Sequence, residues 1–180
     1  ALPEEWEFVN EALAKKSLIN LVGEVIHGMS NEEATLCLDA IKNLGFEYVT
    51  QSGMTWGISD LIVPSEKKDI IAEANQKVKD VQGKYNEGFL TPTERRARVI
   101  SIWTDVREQL GKLVPTSLDS KGSVYSIIDS GARGSWTQVV QVTGMKGMVQ
   151  NSQGEIIELP ITSSFREGFD VLEFFIATHG

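Results

Sequence analysis

The chain has 180 residues, 41% of them hydrophobic, and its 25 acidic and 17 basic side chains give a formal net charge of −8. This composition fits one large or two small folded domains and excludes a disordered chain, while the acidic balance argues against autonomous binding of DNA or RNA. The single cysteine, Cys37, excludes a disulfide framework and a cysteine-based zinc site. Since no apolar run approaches the roughly 18 residues of a membrane span and no signal-peptide pattern opens the chain, we expect a cytoplasmic protein without membrane contact.

The first predicted unit, residues 1–63, combines short helical patterns with turns. Apolar residues spaced along residues 4–22 indicate one or two helices. Ser30 followed by Glu33 is a capping-box signature, in which a hydroxyl and a carboxylate each satisfy a backbone N–H at the start of a helix. We expect that helix to end at Gly45 and the remainder of the unit to be an irregular connection.

The second predicted unit, residues 64–114, is an antiparallel helical hairpin. Its first helix opens at Ser65, and its second is capped by Thr91, with Pro92 at the first helical position and Glu94 three residues after the cap. The spacings leave two alternatives open, a packed helix pair inside a bundle and a projecting coiled coil that partner proteins bind. Apolar residues recur at spacings of three and four in both helices, as in a coiled coil: Ile70, Ala74, Val78, Val81 and Tyr85, then Val99, Trp103, Val106, Leu110 and Leu113.

The third predicted unit, residues 115–180, begins with a turn-rich stretch and continues with short helices between glycine-rich loops. Helices are predicted over residues 124–129 and in a run that ends at Gln141, and a short strand pair is predicted over residues 155–161. Ser164 and Glu167 form another capping-box signature, which predicts the start of an apolar helix. The fold class is therefore mainly α with small irregular or β elements, and a helical hairpin projects from a mixed α segment.

The residues alone reveal no self-contained active site. The sequence lacks a phosphate-binding loop, a dinucleotide-binding fingerprint, a nucleophile elbow and a pair of aspartates that could hold Mg²⁺. The histidines His27 and His179 lie far apart, which favours surface or core roles. Arg133 and Lys146 remain as cations flanked by glycines, which allow close approach of a ligand. A guanidinium can donate two parallel hydrogen bonds to a phosphate, but the spacing leaves open a solvated cation beside a helix end.

The motifs around these two cations resemble the β′ subunit family of bacterial DNA-directed RNA polymerase. The matching runs are Asp-Ser-Gly-Ala-Arg-Gly-Ser at 129–135, Gly-Met-Lys-Gly-Met at 144–148 and Phe-Arg-Glu-Gly-Phe at 165–169. Phe-Ile-Ala-Thr-His-Gly at 175–180 and Gly-Ile-Ser-Asp-Leu-Ile-Val-Pro at 57–64 fit the same family. The resemblance covers essentially the whole chain. It implies an internal fragment of a larger multidomain subunit, because the family's subunit extends beyond both ends of the matching region.

The resemblance implies a role for each unit. Residues 1–63 would belong to a helical and irregular funnel segment. Residues 64–114 would form the rim of the secondary channel, through which nucleoside triphosphates enter. Residues 115–180 would contain the F-loop region and the entry of the bridge helix.

The resemblance also implies roles for single residues. Arg133 matches the position that contacts the triphosphate of the incoming nucleotide, and Gln138 lies nearby as a weaker candidate. Arg166 is expected to pair with an acid or a backbone carbonyl, and Glu167 to cap a helix. The residues expected to support the F-loop structurally are Gly144, Lys146, Gly147, Arg166 and Glu167.

The implied partners are the remaining β′ chain, the β, α and ω subunits, and Gre-type factors that dock on the rim at Arg95, Arg96 and Arg98. DNA, RNA and nucleoside triphosphates are expected as partners only in the complete enzyme. The family's Asn-Ala-Asp-Phe-Asp-Gly-Asp motif, which holds Mg²⁺, lies outside this chain. We therefore expect no catalytic residue, cofactor or metal in this segment, and an isolated chain that is inactive as a nucleotidyltransferase.

A second function class remains open, a non-catalytic module. In this alternative the chain is a split or standalone polypeptide that assembles with, or mimics, part of an RNA polymerase. The coding sequence beyond Gly180 distinguishes the two. Continuation into Ala-Arg-Lys-Gly and a trigger loop supports the enzyme fragment, and a stop codon supports the module.

Overall fold

A computed structural model describes residues 2–3 and 5–178 and is dominated by helices. A 3₁₀ turn lies at Ile58–Asp60, and α6 continues directly into a π-helical turn at Val140–Gly144. The predicted mainly α fold is thus confirmed. The α-helices in chain order are α1 (Lys15–Gly28), α2 (Asn31–Ser52), α3 (Lys67–Asn86), α4 (Pro92–Ser117), α5 (Ser123–Asp129), α6 (Trp136–Val139) and α7 (Val171–Ala177).

The predicted helical hairpin is present and consists of α3 and α4. At the start of α4 the Thr91 amide donates to Glu94 Oε2 at 2.8 Å, and the Glu94 amide donates back to Thr91 Oγ1 at 3.2 Å. Pro92 occupies the first turn, where a missing N–H costs nothing. The C-terminal half of α4 also packs against α6 and the π-helical turn, so the hairpin is embedded at its base.

One continuous core surrounds α4, and a smaller one joins α1 to α2. Five residues along one side of α4 are buried: Val99, Trp103, Val106, Leu110 and Val114. They contact buried residues from five other parts of the chain: Leu61, Ala74, Leu118, Val124, Val139, Val140 and Met145. The smaller core contains Val25, Ala34 and Cys37.

Several predicted boundaries in the first two units are wrong. The first helix begins at Lys15 rather than near residue 4, and α2 passes through Gly45 to end at Gly53, whose φ is 60°. A single glycine costs about 1 kcal/mol in a helix, which is too little to end one. Ser65 does not cap α3: Glu66 holds that position without a side-chain cap, and the Ser65 hydroxyl donates to the Glu66 carboxylate.

The third unit also departs from expectation. The predicted turn-rich stretch, residues 115–122, is helical at its start: residues 115–117 are the last part of α4, and Val114 and Leu118 on either side of them lie in the core. The predicted strand pair is reduced to two isolated bridges, Gly147–Ile161 and Gln150–Ile156. The helix expected at Ser164 begins instead at Val171.

The capping box at Ser164 forms its hydrogen bonds but opens only a single turn. Gly168 follows with a left-handed φ of 86°, which breaks the helical path. A second box, in which the Glu173 amide donates to Asp170 Oδ1 at 2.7 Å, then opens α7. In the part of the chain that the structure describes, no helix is long and apolar enough to cross a membrane.

Candidate functional site

Arg133 lies in the short loop between α5 and α6. Two glycines with left-handed backbones shape this loop, Gly131 with φ 73° and Gly134 with φ 76°. The side chain of Arg133 is exposed, and it makes no hydrogen bond or ion pair with any residue among 2–3 and 5–178. The loop therefore presents a guanidinium that is available to a ligand. The sequence alone did not decide whether Arg133 binds a phosphate or is only solvated.

The start of α1 holds this loop in place. The Lys15 amide donates to the Ser130 carbonyl oxygen at 2.8 Å. A Cβ atom at Gly131 would lie 2.9 Å from Lys15 Cβ, closer than real side chains approach. Glycine is thus required at residue 131 for both the left-handed backbone and the close approach.

An open cavity of about 200 Å³ lies beside Arg133. Arg133, Ser135 and Gln138 contribute its polar groups, and the Gln138 side chain is exposed and makes no hydrogen bond in the described structure. The structure therefore brings together the two residues predicted to meet a nucleotide, at the edge of an apolar surface. The apolar walls come from Trp56, Leu61, Val124, Ile127, Ile128, Val139 and Val142.

Lys146 is engaged within the chain rather than solvated. Its Nζ donates to the Ala177 carbonyl oxygen at 2.8 Å, and it lies 5.8 Å from the centroid of the Phe165 ring. A cation at the C-terminal end of a helix is favourable because the last carbonyls carry negative partial charge. Lys146 thus ties the end of α7 to the loop that follows the π-helical turn.

The two glycines beside Lys146 occupy different settings. Gly144 is buried, and a Cβ there would contact Val140, Val114 and Leu110 at 3.4 to 3.6 Å. Gly147 has φ 92°, which L side chains rarely adopt. Close packing against α4 and a left-handed turn are therefore the local reasons for glycine at these two positions.

Arg166 and Glu167 differ in their contacts. The Arg166 amide donates to the Val142 carbonyl oxygen at 2.9 Å, but its exposed side chain has no hydrogen-bond or ion-pair partner in the described residues. Glu167 Oε2 accepts from the Ser164 amide at 2.8 Å and from its hydroxyl at 2.7 Å, and it also pairs with Lys67 Nζ. Partial burial acts to raise the pKa of Glu167, but hydrogen bonds from Lys67 and Ser164 outweigh it and lower the pKa.

The three arginines predicted to bind a partner, Arg95, Arg96 and Arg98, are not equivalent. Arg95 forms a forked ion pair with Glu158, at 2.7 Å and 3.0 Å, and its guanidinium lies 5.5 Å from the centre of the Tyr85 ring. Arg96 donates to the Ile156 carbonyl oxygen at 2.9 Å. Both hold the loop at residues 147–161 against α4, whereas Arg98 is exposed.

Sequence reasoning missed Glu173 and Lys67. Glu173 Oε1 accepts from the amides of Thr162 at 3.0 Å and Ser163 at 3.1 Å, which fastens the start of α7 to the preceding loop. The Asp170-x-x-Glu173 pattern could have revealed the helix start, but not the contact with Thr162. Lys67 had no local signal, because its partner Glu167 is 100 residues away.

No group of three or more His, Cys, Asp or Glu side chains within residues 2–3 and 5–178 is arranged to hold a metal ion. His179 lies outside the described residues. The chemistry available here is anion binding by Arg133.

Comparison with known proteins gives one matching family. The model for RNA polymerase Rpb1, domain 4, matches residues 69–166. Proteins named DNA-directed RNA polymerase subunit β′ are 42% identical over 180 residues in Beutenbergia cavernae, 43% over 175 in Campylobacter fetus subsp. fetus and 45% over 166 in Lysinibacillus sphaericus. These matches cover 100%, 95% and 92% of the chain but only 14%, 12% and 14% of the relatives.

Proposed function

Since the chain belongs to the RNA polymerase Rpb1 domain 4 family, we propose that it forms the secondary-channel rim and active-site support of a β′ subunit in DNA-templated RNA synthesis. The resemblance read from the sequence is confirmed. The chain spans only a small part of the length of the β′ relatives it matches. Activity, substrates and partners are therefore proposed for the assembly rather than for the chain alone.

The exposed guanidinium of Arg133 is the observation that carries the substrate-binding part of this proposal. Left-handed glycines at 131 and 134 expose it, and the contact with α1 fixes the loop. A planar guanidinium forms forked hydrogen bonds with phosphate oxygens and keeps its charge at every physiological pH. Arg133 is thus suited to bind the triphosphate of an incoming nucleotide and to stabilise charge on the leaving pyrophosphate.

The hairpin is suited to a rim that other proteins contact. The 20 residues of α3 span about 30 Å, and Phe89, at the tip between the two helices, is 75% exposed. Arg98 adds an exposed cation on the first turns of α4. We propose that Gre-type factors dock on this end, using Phe89 and Arg98 rather than the engaged Arg95 and Arg96.

Large exposed apolar side chains elsewhere support assembly with other polymerase parts. Leu36, Phe46, Tyr48 and Val49 on α2 are all more than half exposed. A helix that leaves four large apolar side chains in water is suited to contact another protein. We propose that the rest of β′ and the β, α and ω subunits supply those contacts.

The decisive experiment replaces Arg133 by alanine in a reconstituted polymerase and measures elongation against nucleotide concentration. Loss of a charged hydrogen-bond partner predicts a rise of about tenfold in the apparent KM. Lys121→Ala is the matched control, because Lys121 is an exposed cation in the loop before α5. Unchanged elongation at limiting nucleotide would refute the role of Arg133.

The isolated chain is expected to be catalytically inactive and to bind nucleotides only weakly. One guanidinium–phosphate contact contributes at most a few kcal/mol, which corresponds to about millimolar affinity. Calorimetry with the 180-residue chain measures this, and micromolar binding would show a more complete site. A stop codon directly after Gly180 would favour the alternative of a split or standalone module.

A further inference from the structure

Lys67 is placed where a lysine is unfavourable. It is the first residue of α3 and is only 4% exposed, the one buried charged residue of the described chain. The N-terminus of a helix carries positive partial charge, which repels a cation. Burial of an ammonium group adds a desolvation cost.

The compensating contact is an ion pair between Lys67 Nζ and the Glu167 carboxylate. Such pairs contribute little net stability, because attraction mainly offsets desolvation. They do specify one arrangement, since either charge left alone is costly. The pair joins the base of the hairpin to a turn 100 residues further along the chain.

The turn at 164–167 is held on several sides. Besides Lys67, the Glu167 carboxylate binds the Ser164 amide and hydroxyl, and Ser164 is fully buried. The Phe165 and Arg166 amides donate to the Gln141 and Val142 carbonyl oxygens at 3.3 Å and 2.9 Å. The turn is thereby fixed between α3 and the π-helical turn.

This turn leads directly into α7. Gly168 reverses the backbone, and α7 begins three residues later at Val171. Glu173 then binds the amides of Thr162 and Ser163, and Lys146 binds the last carbonyl. The position of α7 therefore depends on the loop that the Lys67–Glu167 pair holds.

We infer that Lys67 and Glu167 are positioning residues that set the placement of α7 against the base of the hairpin. The inference deepens the proposed function, on which it rests for the part that α7, within residues 115–180, plays in supporting the active site. The ion pair fixes the 164–167 turn relative to α3, and this turn fixes the start of α7.

The first test uses the chain itself. Lys67→Met keeps the volume and leaves the Glu167 carboxylate without its cation. Because the Glu167 side chain is 36% exposed and keeps its hydrogen bonds to Ser164, the midpoint of thermal unfolding is expected to fall by only a few degrees. The amides of Thr162 and Ser163 should nevertheless exchange with deuterium about tenfold faster, because Glu173 no longer stays docked. The matched control is Lys77→Met, which breaks the exposed Lys77–Glu73 pair on the same helix.

Two further variants separate positioning from general packing. Lys67→Arg restores a cation and should recover most of the protection at Thr162. The charge reversal K67E/E167K should not recover it, because a lysine at 167 cannot accept the Ser164 hydrogen bonds. Equal exchange rates in the wild type and in Lys67→Met, or no recovery of protection in Lys67→Arg, overturn the inference.

The second test uses the reconstituted polymerase. Lys67→Met is expected to lower kcat for nucleotide addition about threefold and to leave the KM for nucleotides unchanged, whereas Arg133→Ala raises KM. If Lys67→Met has the kcat of the wild type but faster amide exchange, the role of α7 in supporting the active site is overturned, but its positioning by the ion pair is not. If only the Arg133 prediction fails, the inference about Lys67 and Glu167 still holds, because amide exchange tests it independently.

Discussion

The ion pair between Arg95 and Glu158 supports a quantitative prediction about the loop at residues 147–161. Two N–O contacts of 2.7 Å and 3.0 Å make it forked, and the side chains are 23% and 29% exposed. Exposed ion pairs couple by about 0.2–1 kcal/mol, and charge-assisted hydrogen bonds away from water by more. We expect a coupling free energy of about 1.5 kcal/mol for this pair, after allowance for its partial exposure.

The assay is a double-mutant cycle in urea with Arg95→Ala and Glu158→Gln. The free energy of unfolding of each variant comes from linear extrapolation, and the non-additive part is the coupling. The Arg95→Ala variant should lose about 0.5 kcal/mol more free energy of unfolding than the coupling with Glu158 explains, because Arg95 also stacks on Tyr85.

A matched cycle on the same helix provides the control. The Lys112–Glu108 pair of α4 is 2.8 Å long but lies in solvent, with side chains 77% and 65% exposed. Its coupling should be clearly smaller than that of Arg95–Glu158, because water screens both of its charges. A coupling for Arg95–Glu158 no larger than that of Lys112–Glu108 would refute the argument that the fork fixes the loop to α4.

Three other variants test the core, the cap and the Arg133 loop by urea or thermal unfolding. Leu110→Ala, at a fully buried position, should destabilise by about 3 kcal/mol, whereas Leu36→Ala, 72% exposed, should change little. Thr91→Ala should cost about 1 kcal/mol. The backbone amide and the hydroxyl of Thr91 lower the pKa of Glu94, so the stability contributed by these two hydrogen bonds is lost as the pH falls through the lowered pKa. Alanine keeps the amide and removes the hydroxyl, so the variant should show a weaker pH dependence than the wild type. Gly131→Ala should destabilise by about 1–3 kcal/mol, and an unchanged midpoint would contradict the strain argued there.

Local signals predicted two of the helix starts correctly, those of α2 and α4. The boxes at Ser30 and Thr91 form as expected, because their hydrogen bonds join residues three apart. The box at Ser164 also forms, but the prediction that it opens a long apolar helix was wrong. There the carboxylate of Glu167 is shared with Lys67, and the left-handed Gly168 ends the turn.

Contacts across long sequence distances could not be predicted. The resemblance placed Arg95 and Arg96 on a rim where partner proteins dock, and nothing near them in sequence indicated another role. Their partners, Glu158 and the Ile156 carbonyl, are 63 and 60 residues away. Arg133 could be identified as a candidate because Gly131 and Gly134 flank it in the sequence. The cavity beside it could not be predicted, because one of its walls is Trp56 from the first unit.

The π-helical turn at Val140–Gly144 has an evolutionary consequence. Such a turn contains one residue more than an α-helical turn, so the loss of one residue would restore regular α-helical winding and change which carbonyl groups are exposed at the end of the helix. The carbonyls of Gln141 and Val142 would then no longer face the amides of Phe165 and Arg166. Insertions and deletions should therefore be absent from this stretch among related chains, even where single residues vary freely.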